Sequence, residues 1–217
     1  MAVSSSAFIE VDAEMETGQV TGHRYFDKAS SLHIIKVNQG NCYVSGREDE
    51  VLATVLGSCV AACIRDPLIG VGGMNHFMLP ATDNVDLSSW SSLVSPELRY
   101  GNFAMEQLIN QILKKGGDRR RLEIKVFGGG NVLNTTSKVG HKNADFVERY
   151  LHDEGFDVVS SDLRGDCARR IKYYPVSGRV QLQRLGQEAA GSIARTEQVR
   201  TPRIRPAAEE GSIELFD

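Results

Sequence analysis

Cys59 and His76 are the residues of this chain whose types and setting best suit covalent chemistry. They lie in the stretch VLGSCVAACIRDPLIGVGGMNHFMLP, Val55 to Pro80. A free thiol has a pKa of about 8.5, and a neighbouring imidazolium favours the thiolate. Such a pair attacks acyl carbons, and the protonated imidazole then donates to the departing amine. Gly57 and Ser58 add little bulk beside Cys59, so a carbonyl can approach the backbone there. Main-chain N–H groups at Ser58–Cys59 are candidates to hold an oxyanion. Thr54 and Asn75 are candidates to orient His76 or a substrate amide. The inert alternative stands beside this: a cysteine in a Val/Ala strand is commonly a core residue. Cys63, deeper in the same apolar run, is read as core. Cys59-x3-Cys63 with His76 lacks the tight paired spacing of tetrahedral metal sites, so no metal is expected.

The pairing depends on the elements around it. Val51–Leu56 and Val60–Ile64 are short apolar runs, read as buried strands broken at Gly57-Ser58. Asp66-Pro67 is a turn signal, and Gly70–Leu79 is the return strand. A two-residue turn centred on Pro67-Leu68 sets Cys59 directly opposite His76. Cross-strand neighbours of this kind have Cβ atoms about 4.5–5.5 Å apart on one face. A slip of one residue would throw His76 to the other face.

Elsewhere, His33–Val37 and Cys42–Val44 read as strands around an Asn38–Asn41 turn. Asn102 opens a helix to Lys115, with Met105, Leu108, Ile109, Ile112 and Leu113 on its apolar face. Leu122–Phe127 alternates as a half-buried strand and ends at Gly128-Gly129-Gly130. This glycine run lacks a phosphate-loop fingerprint and is read as a tight turn. Asn143 opens a second helix, and strands follow at Phe156–Val159, Arg169–Tyr174 and Arg179–Gln183. Asp118 to Arg121 is read as a solvated charged turn.

Residues 1–30 are polar and aperiodic, read as a flexible arm. Residues 186–217 lose the pattern and are read as a disordered tail. The domain between, residues 31–185, is expected to be a single layered α/β sandwich with a mixed sheet and two main helices. The chain has 217 residues, 41% hydrophobic and 24% charged, with a net charge of −3. That composition suits one folded domain and gives no electrostatic case for nucleic acid. No apolar run reaches membrane-spanning length, so no membrane insertion is expected. Four cysteines without a secretory leader are expected to be thiols in the cytoplasm.

The stretch Thr54–Pro80 closely resembles the signature of the chemoreceptor glutamine deamidases, the CheD family. The likeness continues through Leu32–Val44, Arg99-Tyr-Gly-Asn-Phe-Ala-Met105, Lys125-Val-Phe-Gly-Gly-Gly-Asn131, Gly140-His-Lys-Asn143 and Asp162–Leu185. The resemblance implies hydrolysis of particular glutamine side chains on methyl-accepting chemotaxis receptors, giving glutamate and ammonia. It implies Cys59 as nucleophile and His76 as base, with no metal or organic cofactor. It also implies a third catalytic residue, a threonine six positions before the cysteine. Here that position is Ala53, and the adjacent Thr54 is the candidate. A CheC-type phosphatase is an implied partner. The alternative is a chemotaxis adaptor that binds receptor or phosphatase with weak or no catalysis.

Overall fold

The structure, a computed structural model, describes residues 23–80, 96–132 and 138–186, together with Ile193 and Glu197. Most of the expected arm and tail lies outside the described residues. Within residues 23–186, two five-stranded sheets and two α-helices form three layers. The first sheet runs β1 (Arg24–Asp27), β2 (Leu32–Lys36), β4 (Glu50–Leu56), β9 (Ala168–Tyr173) and β10 (Val180–Leu185) across its width. The second runs β3 (Cys42–Ser45), β6 (Val71–Asn75), β5 (Val60–Asp66), β7 (Glu123–Gly128) and β8 (Val158–Leu163). Each is mixed: β2 with β4 and β7 with β8 are parallel, and the other pairs are antiparallel. The expected layered α/β sandwich is present, with two mixed sheets rather than one. β1 also carries ordered strand back to Arg24, inside the expected arm.

The second sheet is the middle layer, which explains the near-continuous apolar run of β5. A strand covered on both faces has no polar side to show. Val60, Ala62 and Ile64 face the helices and pack with Phe77, Met105, Leu108, Ile109, Ile112, Phe146 and Val147. Cys59, Ala61 and Cys63 face the first sheet and pack with Leu52, Leu56, Ile171 and Tyr173. Successive residues of β5 therefore serve two cores. The strands on either side of Gly57-Ser58 belong to different sheets, so the segment 57–59 crosses from one layer to the other.

The helices are α1 (Pro96–Lys114) and α2 (Val139–Asp153). Both begin earlier than their apolar stripes suggest. Asn102 lies inside α1, and Asn143 is a buried residue inside α2 rather than its opening. The charged turn is a short 3₁₀ helix, Arg119–Arg121, and it is tied down rather than merely solvated. Asp118 caps it by accepting from the Arg120 amide. Arg121 pairs with the buried Asp66 at 2.6 Å, and Arg119 pairs with Glu154 at 2.6 Å.

The hairpin β5–β6 forms, but in a different register. Cys63 faces Met74, Asp66 faces Val71, and the ladder resumes at a Val60–Phe77 bridge. The connection is the four-residue loop Pro67–Gly70, not a two-residue turn at Pro67-Leu68. The cause is Asp66: its carboxylate accepts from the Leu68 amide, and its carbonyl accepts from the Gly70 amide at 3.1 Å. In this register His76 falls opposite Ala61, two residues along from Cys59. A slip of two conserves the face, so Cys59 and His76 still share the side turned to the first sheet. They are diagonal neighbours instead of direct ones.

Candidate active site

Cys59 ends the crossing segment and is fully buried. His76 follows the last residue of β6, and its ring reaches toward the first sheet. Thr54 comes from that sheet, on β4. The Thr54 hydroxyl donates to the Val37 carbonyl at 2.8 Å and lies 2.8 Å from His76 Nδ1. A hydroxyl has one proton, already given to Val37, so Nδ1–H donates to the Thr54 oxygen. Nδ1 also lies 3.2 Å from the Val37 carbonyl. Two acceptors at Nδ1 fix the tautomer and leave Nε2 as the basic nitrogen. Ala53, beside Thr54, has no such reach; it lines an adjoining cavity.

The backbone at 57–59 is shaped from behind. The amides of Gly129 and Gly130 donate to the carbonyls of Cys59 (2.7 Å) and Gly57 (2.8 Å). Asn143 donates from its side-chain amide to the Ser58 carbonyl at 2.8 Å and accepts from the Leu79 amide at 2.9 Å. All three carbonyls of the segment are thus held on the far side. Gly128 has φ of +111°, and a Cβ there would collide with the Cys59 carbonyl. The glycine run is a bracket for the cysteine loop.

With the carbonyls pinned behind, the three amides of Gly57, Ser58 and Cys59 point forward. They converge on the carboxylate of Glu197, at 2.7, 2.8 and 3.4 Å. The Ser58 hydroxyl adds a fourth donor at 2.8 Å. This is an oxyanion-type cradle by geometry. Ligand atoms of Cys59, His76 and Glu197 all lie within 4.8 Å of one another. Among the described residues these three side chains form a group able to hold a metal ion, although both carboxylate oxygens already accept backbone hydrogen bonds. The Cys59 thiol is pushed well above its usual range, first by burial and then by the negative charge of Glu197.

Of the residues singled out in the sequence, Cys59, His76, Thr54, Gly57 and Ser58 come together. Asn75 does not join them. Its side chain turns to the helix layer, accepting from the Ala62 amide at 2.8 Å and donating to the Ala104 carbonyl at 3.0 Å. Cys63 is buried in the layer between the sheets, and burial pushes its thiol far up. Two contributors escaped the sequence reading. Asn143 looked like a helix opener, and Glu197 sat in a tail without pattern. No spacing marks Glu197, since its partners are some 140 residues away.

Beside the site is a cavity of about 380 Å³. Lys36, Arg170 and Lys172 are among its lining residues, with Val37, Ala53 and Ile193 among the apolar walls. Among the described residues, no helix is long and apolar enough to cross a membrane.

Fold and site together define a class: a layered α/β sandwich with a buried cysteine, an oriented histidine and an amide cradle at the seam of its two sheets. Comparison with known proteins gives the family. Residues 78–184 match the family model described as CheD chemotactic sensory transduction. The chain is 50% identical over 193 residues to the "Probable chemoreceptor glutamine deamidase CheD" of Rhodopseudomonas palustris, covering 89% of each chain. It is 43% identical over 196 residues to the protein of the same name from Saccharophagus degradans, again covering 89% of each. It is 47% identical over 182 residues to that of a Caulobacter species, covering 84% of this chain and 92% of the relative. The chain belongs to the CheD family.

Proposed function

We propose that this protein is a protein-glutamine deamidase acting on methyl-accepting chemotaxis receptors, with Cys59 as nucleophile, His76 as general base and acid, and Thr54 as the residue that orients His76. One observation carries the reading. In a chain similar throughout to proteins named chemoreceptor glutamine deamidases, a cysteine, a histidine with fixed Nδ1 and a three-amide cradle meet within a few ångströms.

The chemistry follows from the atoms. His76 Nε2 takes the Cys59 proton, and the thiolate attacks the glutamine carboxamide carbon. The carbonyl oxygen becomes an oxyanion between the amides of Gly57, Ser58 and Cys59. The imidazolium gives its proton to the departing ammonia, leaving a thioester. Water enters, His76 removes its proton, and the thioester collapses to glutamate and free thiol. No metal or organic cofactor takes part in any step. The cations lining the cavity, Lys36, Arg170 and Lys172, suit a substrate helix with acidic side chains near the target glutamine. A CheC-type phosphatase as partner, which rests on the family resemblance, and a cytoplasmic setting, which rests on the four cysteines read as thiols, complete the proposal.

The test is ammonia release from purified cytoplasmic fragments of chemotaxis receptors. Wild-type protein is expected to release ammonia and convert glutamine to glutamate at discrete positions. Cys59→Ala and His76→Ala are expected to lose about a thousandfold or more in rate. Undiminished release from Cys59→Ala would sink the assignment. Receptor binding without any release from wild-type protein would point to an adaptor.

A further inference from the structure

Glu197 is a buried carboxylate seated on the cradle that the mechanism needs for its substrate. Only 5% of the residue is exposed, and acidic side chains are rarely buried to that degree without a specific role. Its Oε1 accepts from the Gly57 amide, and its Oε2 accepts from the Ser58 amide and hydroxyl. The carboxylate packs close against Gly57: a Cβ at that position would lie 2.8 Å from Oε2 and push it aside. A glutamate side chain is also what deamidation of a glutamine leaves behind, with the same length and the same branching at the terminal carbon. Ile193, four positions earlier and likewise helical, lines the adjoining cavity. Residues with this spacing share one face of a helix.

We propose that Glu197 is a built-in product mimic: its carboxylate fills the subsite for the substrate carboxamide, and it must leave before another chain can be deamidated. The proposal rests on the deamidase reading above. It assigns the Gly57–Ser58–Cys59 amides as the subsite shared by substrate amide and product acid. It also makes the resting enzyme self-occluded. Burial first, and then the charge of this carboxylate, keep the Cys59 thiol protonated, so the occupied site is doubly idle. Departure of Glu197 opens the cradle and removes the charge that opposes the thiolate.

The experiment uses the full chain with two substitutions. In Glu197→Gln, the side chain at position 197 is a carboxamide of the same length, whose oxygen can accept from the cradle amides while its NH2 faces an N–H donor, so it visits the site rather than locking into it. Cys59 attacks its carboxamide carbon, ammonia leaves with a proton from His76, and water cleaves the thioester, regenerating glutamate. Peptide mass mapping is expected to find glutamate at position 197 in this variant, and glutamine there in the double variant with Cys59→Ala. In Glu197→Ala, alkylation of Cys59 by iodoacetamide is expected to run about tenfold faster than in wild type, the scale of one lost charge-assisted hydrogen bond. An unconverted glutamine at position 197, in a Glu197→Gln protein that still releases ammonia from receptor fragments, would overturn the proposal while leaving the deamidase reading intact. If no receptor ammonia is released by any form, the deamidase reading fails, and alkylation decides the occlusion alone: equal rates in wild type and Glu197→Ala would overturn it.

Discussion

Thr54 Oγ1 and His76 Nδ1 stand 2.8 Å apart, joined across the two sheets of the sandwich. Thr54→Val keeps the shape of the side chain and removes this acceptor. The His76 ring then loses one of the two groups that fix its tautomer. The expected result is a fall in kcat of about tenfold to a hundredfold with KM little changed, by analogy with other groups that orient a catalytic histidine. Thr54→Ser should restore most of the rate. Steady-state kinetics of ammonia release checks this. A matching loss in the Ser variant would show that the hydroxyl is not what matters.

Asn143 tests the support behind the cradle. Its side chain satisfies the Ser58 carbonyl and the Leu79 amide, both within the fold. Asn143→Ala leaves two main-chain groups without their partner, at a cost of about 2–4 kcal/mol. Urea unfolding measures that loss. Activity at a temperature where the variant remains folded should also fall, because the Ser58 peptide is no longer held with its amide forward.

Gly128 and Gly155 make a matched pair. Both have positive φ, at +111° and +70°. A Cβ at Gly155, after α2, meets nothing within 4 Å. Gly155→Ala should cost about 1 kcal/mol, the backbone strain alone. At Gly128 the added Cβ strikes the carbonyl of Cys59 itself. Gly128→Ala should cost well beyond that and should abolish ammonia release. Equal unfolding midpoints for the two variants would show that the bracket is softer than its geometry.

Asp66 sets an acid limit on stability. Its carboxyl is lowered to about 2 from an ordinary 3.8, chiefly by the Arg121 guanidinium, with the Asp118 and Leu68 amides assisting. A lowered folded-state pKa gives stability that is complete above the ordinary value. That stability is lost as pH falls from about 4 toward 2. Thermal midpoints of wild type should drop across this window more steeply than those of Asp66→Asn. The variant should be the less stable of the two at neutral pH.

The sequence showed the hairpin, its two chemical residues and the face they share. The register escaped it because Asp66 closes a four-residue loop through its own carboxylate and carbonyl, a device that Pro67 masks as a tighter turn. Face survived this because side chains alternate with a period of two and the slip was even. The separation of β4 and β5 into different sheets was not legible, since a run buried on both faces has no periodicity to read. The start of α1 was legible and passed over: Ser95-Pro96-Glu97 is a helix-opening pattern. Asn143 and Glu197 act through distant backbone, and no local pattern records where a polar side chain finds such a partner. Thr54 was singled out by the chemistry of its type and lies 2.8 Å from His76 Nδ1, although the family pattern pointed first to Ala53.

The crossing of residues 57–59 from one sheet to the other has a consequence for how this protein fails. His76 sits on one slab, Thr54 on the other, and Cys59 on the hinge between them. Any loosening of the slabs parts these groups before a single strand is lost. Catalysis should therefore vanish on heating ahead of the circular-dichroism signal of the sheets, making turnover a strain gauge for the sandwich.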